Sequence, residues 1–310
     1  MKPIELHIAT SLPDALQFLA QHGQETAVLA GGTDLHLRIR SGRENPPRVL
    51  DISRLDELRG IGLEPAGAAV ATAGANGEPT VRLGALVTHA RAAASPDVLR
   101  HVPLLAEGCL TVGSPQIRNL GTVGGNCITG SRAGDSLPAL MALDAELVLR
   151  STAGERRVKM TQFFVGARTA DRRRDELLTH ILIPGQSPTE RSGYIKFAQR
   201  KAMAISVASV AMRLEMEPGD PRRCRRAAVA LGNLHQSVIR ARGVEAALIG
   251  QVIDEATIDR AAGAAAGEVA PRDDVRASAE YRLAMVRALV RQAIERLTAP
   301  EAAYTGVSAR

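Results

Sequence analysis

The sequence predicts an α+β protein made of three successive units. Strand and helix patterns alternate at the start of the chain, short apolar runs mix with helices in the middle, and long strands precede long helices at the end. Paired glycines stand twice in loops, within Ala30–Asp34 and within Arg118–Asn126. A chain of 310 residues also exceeds the usual size of one domain, so two or three cores are expected.

The first unit, residues 1–58, has a β-α-β-α-β pattern. Residues 4–9 alternate apolar and polar side chains, and Ser11–Asp14 has the capping Ser, the early Pro and the acid typical of a helix start. Gly23 is placed to end that helix. We expect strands at 26–30 and 48–52, with a short helix at 34–40 between them. Crossover helices imply parallel strands.

The second unit, residues 59–176, and the third, residues 177–300, are followed by a tail at 301–310. Arginines at 172–174 and the prolines of 184–188 flank an apolar strand at 177–183 and indicate the boundary. In the second unit we predict apolar runs at 69–73, 81–87 and 145–149 and helices at 88–94, 97–108 and 135–143. In the third we predict strands at 193–199, 205–215 and 225–231 and helices at 238–249, 255–267 and 276–296.

Composition favours a globular protein without a membrane span. Hydrophobic residues make up 45% and charged residues 23%, as in ordinary soluble domains. No apolar run approaches the eighteen or so residues that cross a bilayer. The N-terminus has no apolar signal region. We therefore expect a cytoplasmic protein, exported only if a partner subunit carries the signal.

The basic charge does not predict a nucleic-acid partner. The net charge is +6, and the surplus is concentrated in Arg172–Arg174 and Arg222–Arg226. Acidic residues flank the first cluster, and aromatic residues make up only 2% of the chain, too few for base stacking. We interpret both clusters as solvated loops or a protein interface.

Metal centres and the common catalytic motifs are not indicated. The three cysteines, Cys109, Cys127 and Cys224, form no C-x-x-C pair, and an iron–sulfur cluster normally needs four thiolates; we expect buried, inert thiols. The seven histidines are scattered, so no metal site is predicted. Walker, H-E-x-x-H, G-x-S-x-G and G-x-G-x-x-G motifs are missing.

The two glycine loops are the remaining candidate site. Successive amides in a glycine-rich turn can form an anion-binding concavity, and each bond to a charged group contributes on the order of 1.5–3 kcal/mol. Two such loops could therefore hold one extended, phosphate-bearing ligand. Gly31-Gly32 taken alone could equally be a tight turn.

The same loops resemble those of a known family. Ala30–Asp34 and Thr122–Asn126 are similar to the two FAD-diphosphate loops of the flavoprotein subunit in molybdenum hydroxylases, such as xanthine dehydrogenase and carbon monoxide dehydrogenase. The similarity continues in order through 113–119, 135–140 and 279–282. It implies a two-part FAD-binding domain of the PCMH/vanillyl-alcohol-oxidase type, a small β-α-β unit plus a larger α+β unit. A C-terminal domain with a three-stranded antiparallel sheet and helices should follow.

The resemblance also implies roles for individual residues around FAD. On the diphosphate side the implied residues are Leu29, Ala30, Gly31, Gly32, Thr33 and Asp34, with Thr122, Gly125 and Asn126 opposite. Near the ribityl chain and flavin ring they are Ile128, Thr129 and Asp135. Around the adenine they are Val112, Gly113 and Leu178.

Two further residues are implied at the flavin ring. Lys196 matches a lysine at the pyrimidine edge, where a cation would stabilise the reduced flavin, although an exposed strand lysine is the alternative. Ile205 matches the residue that covers one ring face. Ala204 departs from the Asp of many relatives, and no cysteine-rich insertion follows Cys127.

The implied function is an FAD-binding electron-transfer subunit. A large molybdopterin subunit would oxidise the substrate, and a small subunit with two [2Fe–2S] clusters would pass electrons to the FAD. The resemblance implies that the three subunits assemble as a dimer of heterotrimers. The acceptor (NAD⁺, quinone, cytochrome or oxygen) and the substrate stay open. The alternatives are a scaffold of the same fold without flavin and a stand-alone flavin oxidase.

Overall fold

The computed structural model describes residues 3–64 and 77–299. The predicted apolar run at 69–73 and the tail at 301–310 lie outside the described residues. Three main sheets with their helices and a separate two-stranded ribbon build the described part of the chain. Its mixed α+β character agrees with the prediction.

The first unit is a small parallel sheet, as predicted. Ser11 caps the first helix by accepting a hydrogen bond from the Asp14 amide at 3.3 Å. That helix packs Ala15, Leu16 and Leu19 against the sheet. The strand order is β1-β3-β2, with both pairs parallel. The elements are β1 Glu5–Ile8, α1 Leu12–His22, β2 Thr26–Leu29, α2 Leu35–Arg40 and β3 Arg48–Asp51.

The second unit is a five-stranded antiparallel sheet with helices packed against it. Its strands are β4 Ile61–Glu64, β5 Thr80–Gly84, β6 Glu146–Ser151, β7 Gly154–Lys159 and, later in the chain, β10 Leu177–Pro184. The helices are α3 His89–Ala94, α4 Pro96–His101, α5 Pro103–Leu110, α6 Pro115–Leu120, α7 Val123–Thr129, α8 Ser136–Ala142 and α9 Met160–Phe163. A two-stranded ribbon comprises β8 Phe164–Gly166 and β9 Thr169–Ala170.

Two sequence predictions for this unit are wrong. The strand at 177–183, assigned to the start of the third unit, is the central strand of the second sheet, between β5 and β6. Its side chains are buried along almost its whole length, so its apolar run reflects a central position rather than a new unit. The single helix at 97–108 is two helices, because Pro103 forces Val102 out of helical geometry (φ −142°, ψ 53°).

The third unit is an antiparallel sheet covered by helices, as predicted. The sheet has four strands, one more than the three predicted. The order is β11-β12-β13-β14, and the short fourth strand occupies the start of the helix predicted at 238–249. Its core joins the sheet to α11 and α12. The elements are β11 Glu190–Ala198, β12 Ser206–Glu217, β13 Asp220–Gly232, β14 Ile239–Arg240, α10 Arg242–Leu248, α11 Glu255–Gly267 and α12 Ala279–Thr298.

Candidate functional site

Both glycine loops line one cleft, where the three units meet. The cleft has a volume of about 590 Å³, and Gly32 and Gly125 both lie in its wall. The first loop follows β2, at the carboxyl end of a parallel strand, where α/β units bind anionic ligands. The second loop leads into α7. The sequence-based expectation that the two loops share one cleft is therefore met.

The first loop presents a row of uncommitted donors. Among the described residues, none of the main-chain amides from Gly31 to Leu35 donates to a protein acceptor. Gly32 has φ +71°, a conformation that glycine adopts without strain, and its carbonyl accepts from the His36 amide at 3.1 Å. Five consecutive amides at a cleft wall form the kind of concavity that binds anions.

Gly31 is also the point where the two loops touch. A Cβ built at Gly31 would lie 2.0 Å from the Leu120 carbonyl oxygen and 2.8 Å from the Leu120 carbonyl carbon. Leu120 ends α6 and directly precedes the second loop. Only glycine permits this approach, because the colliding atoms belong to the main chain and cannot rotate away.

The second loop uses its amides within the protein. The Gly125 amide donates to the Thr122 hydroxyl at 3.0 Å, which caps α7. The Gly124 amide donates to the Ala85 carbonyl at 3.2 Å. A Cβ at Gly124 would lie 2.6 Å from that same oxygen. The amides of Gly124 and Gly125 therefore already have acceptors within the chain, and Gly124 lets α7 pack closely on Ala85 at the end of β5. Contact of Gly125 with a diphosphate stays a prediction.

Asp135 and Lys196 form a buried ion pair beside the cleft. Lys196 Nζ lies 2.7 Å from Asp135 Oδ2 and donates to the Thr111 carbonyl at 2.8 Å. The two side chains are 10% and 7% exposed, so the alternative of an exposed strand lysine is wrong. Burial raises the pKa of Asp135 to about 6, although Lys196 pulls it down. The other carboxylate oxygen, Oδ1, is buried as well, and the neighbouring Tyr194 side chain also acts to lower the pKa of Asp135.

The structure brings most of the predicted site residues to the cleft. Leu29 does not line it; its side chain packs behind Gly32 with Ala27, Leu35 and Val49. Lys196 does not line it either and reaches the site through Asp135. The predicted residues that do line the cleft are Ala30, Gly31, Gly32, Thr33, Asp34, Val112, Gly113, Thr122, Gly125, Asn126, Ile128, Thr129, Asp135, Leu178 and Ile205.

Two arginines of the cleft wall were assigned to the surface from the sequence. Arg172 and Arg174 line the cleft, although their neighbours in sequence indicated a solvated loop or a protein interface. The loop reaches this position because it packs on Gly23, where a Cβ would lie 2.3 Å from the Arg174 carbonyl oxygen. No local signal in the sequence links Gly23 with Arg174.

His89 is a further cleft residue that sequence reasoning left among the scattered histidines. It is 3% exposed, and its Nδ1 has no partner among the described residues. Burial, aided by Arg118, lowers the pKa of His89 to about 4. The ring is therefore neutral at physiological pH. No signal in the sequence marked His89 as a cleft residue, because a lone histidine gives no spacing pattern.

The cysteines are buried free thiols, as predicted. Burial raises the pKa of Cys127 and of Cys224 to about 12, which makes thiolate chemistry at either unfavourable. Within residues 3–64 and 77–299, no group of three or more His, Cys, Asp or Glu side chains is arranged to hold a metal ion. No helix of the described chain is long and apolar enough to cross a bilayer.

Comparison with known protein families identifies the fold. Residues 2–186 match the family model described as the FAD binding domain in molybdopterin dehydrogenase. The chain belongs to this family. Residues 193–297 match the CO dehydrogenase flavoprotein C-terminal domain. The chain is thus an oxidoreductase flavoprotein subunit of the molybdopterin dehydrogenase type.

Individual relatives cover most of the chain. The putative xanthine dehydrogenase FAD-binding subunit of Escherichia coli (strain K12) is 30% identical over 94% of this chain and 95% of its own length. The nicotinate dehydrogenase FAD-subunit of Eubacterium barkeri is 38% identical over 70% of each chain. Among solved structures, carbon monoxide dehydrogenase from Hydrogenophaga pseudoflava superposes with a TM-score of 0.87 at 29% identity, over 96% of this chain and 98% of the other.

Proposed function

We propose that this chain binds FAD in the cleft and transfers electrons from a partner subunit to an external acceptor. The observation that carries the proposal is the row of amides from Gly31 to Leu35, which have no acceptor among the described residues and stand in the cleft wall. A diphosphate supplies the charged oxygens that such a row needs.

The residues of the cleft fit a dinucleotide without a lysine at the phosphates. Amide bonds to a charged acceptor contribute on the order of 1.5–3 kcal/mol each, so a few of the five suffice. From the facing wall, the Thr122 hydroxyl accepts from the Gly125 amide and keeps its own proton to donate. Val112, Gly113 and Leu178 would border the adenine, as in the family.

The Asp135–Lys196 pair would tune the redox end of the site. Bound there, FAD supplies the reversible electron transfer that amino-acid side chains lack. Asp135 lines the cleft, and the Lys196 ammonium is paired with its Oδ2, which leaves Oδ1 as the carboxylate oxygen not bound by the lysine. Ile128 and Thr129 line the adjoining wall, and Ile205 lies at its edge, 57% exposed.

We further propose that the chain works within a multi-subunit dehydrogenase. Its relatives are named as FAD subunits or medium chains, which supports partners of other sizes. A large molybdopterin subunit would oxidise the substrate and a small subunit with two [2Fe–2S] clusters would deliver the electrons, with two such heterotrimers paired. Among the described residues this chain itself holds no candidate metal site.

Binding of FAD, riboflavin and ADP to the apo protein tests directly whether the cleft binds a diphosphate. Purified protein should release FAD on denaturation, and the apo form should bind FAD about 1000-fold more tightly than riboflavin, which lacks phosphates; the difference corresponds to two or three lost charge-assisted bonds. ADP should compete with FAD. Equal affinity for riboflavin and FAD, or a chain that never retains flavin, would overturn the proposal in favour of a scaffold. Substrate oxidation by the isolated chain would favour a stand-alone oxidase.

A further inference from the structure

The late motif Ala279–Arg282 has no part in the cleft described so far. Arg282 lies in the first turn of α12 and is 0% exposed. A guanidinium stays charged in proteins, so burying it demands strong partners. Its Nη1 donates to the Val207 carbonyl at 2.6 Å and to the Asn233 carbonyl at 3.1 Å. Its Nη2 donates to Asp274 Oδ1 at 2.6 Å.

One of these partners, Val207, adjoins the end of a cleft loop. Met203, Ala204 and Ile205 line the cleft, and Val207 follows two residues later. Asn233, held at φ +60°, donates from its Nδ2 to the Ser206 carbonyl at 2.5 Å. Where the loop enters β12, its main chain is therefore held by Arg282 and Asn233.

The other end of the same loop is tied to the same segment. Gln199 Nε2 donates to the Arg276 carbonyl at 2.9 Å. Arg276 in turn donates to the Asp274 carboxylate from its amide at 2.9 Å and from its guanidinium at 2.8 Å. Residues 274–282 thus contact both ends of the loop at 199–206.

A second cleft loop joins the network. Arg132 stands between Ser131 and Ala133, which line the cleft. Its carbonyl accepts from the Asn233 amide at 2.7 Å, and its Nη2 lies 3.4 Å from Asp274 Oδ2. Although burial acts to raise it, the arginine bonds hold the pKa of Asp274 well below its usual range, so its charge is present throughout the physiological range.

We propose that Arg282 and Asp274 are positioning residues that hold the 199–206 and 131–134 loops in place on one side of the cleft. Neither side chain lines the cleft itself; both act through main-chain carbonyls and through Asn233 and Arg132. The network links helix α12, at the far end of the sequence, to the walls beside Ile205 and Asp135. The effect of this network on a bound flavin rests on the proposed function, whereas the anchoring of the loops does not.

Proteolysis of the full-length apo protein tests the anchoring without a flavin. Arg200 and Lys201 are exposed in the loop, so trypsin cuts there at a rate set by local opening. Arg282→Met should be cut after these residues about tenfold faster than the wild-type chain, because the carbonyls of Val207 and Asn233 lose their donor. Arg282→Lys should fall between the two.

Val290→Ala is the matched control, because Val290 is fully buried on the same helix and contacts no cleft loop in this network. It should lower the unfolding temperature and leave cleavage at 200–201 unchanged. Gln199→Ala, at an exposed residue, should accelerate the same cuts even if Arg282→Met accumulates poorly. Equal cleavage in Arg282→Met, Gln199→Ala and Val290→Ala would refute the anchoring.

The flavin-loaded protein supplies the second readout. Arg282→Lys should keep the FAD content of the wild type, since the amides of Gly31–Leu35 are untouched, yet change the visible circular dichroism and the midpoint potential of the bound flavin. An unchanged spectrum and potential with accelerated loop cleavage would overturn the link to the cofactor. Failure of the wild-type chain to bind FAD would instead overturn the proposed function. The proteolysis of the apo protein would still decide whether Arg282 anchors the loops.

Discussion

The two glycine loops have similar compositions and opposite physical roles. Gly31 and Gly32 leave their amides without acceptors among the described residues, whereas the amides of Gly124 and Gly125 donate to Ala85 and Thr122. The first loop is open toward a ligand, and the second is committed to packing α7 against the neighbouring sheet. A glycine pair therefore indicates a special backbone requirement. Only the contacts in the structure distinguish amides left open for a ligand from close packing within the chain.

Gly31→Val should have the largest effect, because Gly31 joins the two loops. The new side chain would meet the Leu120 main chain at 2.0 Å, so one loop must move by more than an ångström. We expect loss of FAD binding and a fall in unfolding free energy of several kcal/mol, as for other large steric changes. Flavin content and urea unfolding measure both. Gly62→Val, in a strand with open space around that position, is the control. Equal losses of flavin content and unfolding free energy in the two variants would contradict the inference that Gly31 holds the two loops together.

Gly124→Ala should separate packing from binding. The methyl group would meet the Ala85 carbonyl oxygen at 2.6 Å, and overpacking of this kind costs about 1–3 kcal/mol. The apo protein should lose stability, while FAD affinity measured under folded conditions changes little, because this amide already donates within the chain. Gly267→Ala has open space and serves as the control. Weaker FAD binding without a stability loss would show that the second loop also grips the ligand.

The pH dependence of stability should report the Asp135 site. Burial raises the pKa of Asp135 from 3.8 to about 6, against the opposing effect of Lys196, so the folded state holds this proton more tightly than the unfolded state. Its contribution to stability is complete below about pH 4 and is lost as the pH rises through 6, by up to about 3 kcal/mol. Urea unfolding of apo protein between pH 4 and 7 measures this slope. Asp135→Asn should lack it; the same slope in both proteins would rule out Asp135 as its source.

Thr122→Val should cause the smallest loss of stability, and it tests whether the Thr122 hydroxyl stabilises the second loop as the N-cap of α7. It keeps the side-chain shape but removes the oxygen that accepts from Gly125, and loss of a helix N-cap costs about 1 kcal/mol. Thr122→Ser keeps that acceptor and should remain close to the wild type in thermal unfolding. If both substitutions destabilise equally, the cap bond is not what Thr122 contributes.

Local patterns predicted much of this protein. Ser11, Pro13 and Gly23 mark the first helix, and the loops at 30–34 and 122–126 were recognised as parts of one site. These signals act over a few residues, so the sequence displays them directly. Resemblance to a family added Leu178 and Ile205, which no local pattern would have selected.

The sequence by itself determined the local elements, the glycine positions and the family to which the chain belongs. Only the tertiary structure decided that β10 is a central strand, that Arg172 and Arg174 line the cleft and that Lys196 is buried against Asp135. It also decided which glycine loop keeps free amides. The physical reason is that caps, turns and periodicity depend on neighbours along the chain, whereas burial and close approach depend on surfaces that meet only after the three units pack.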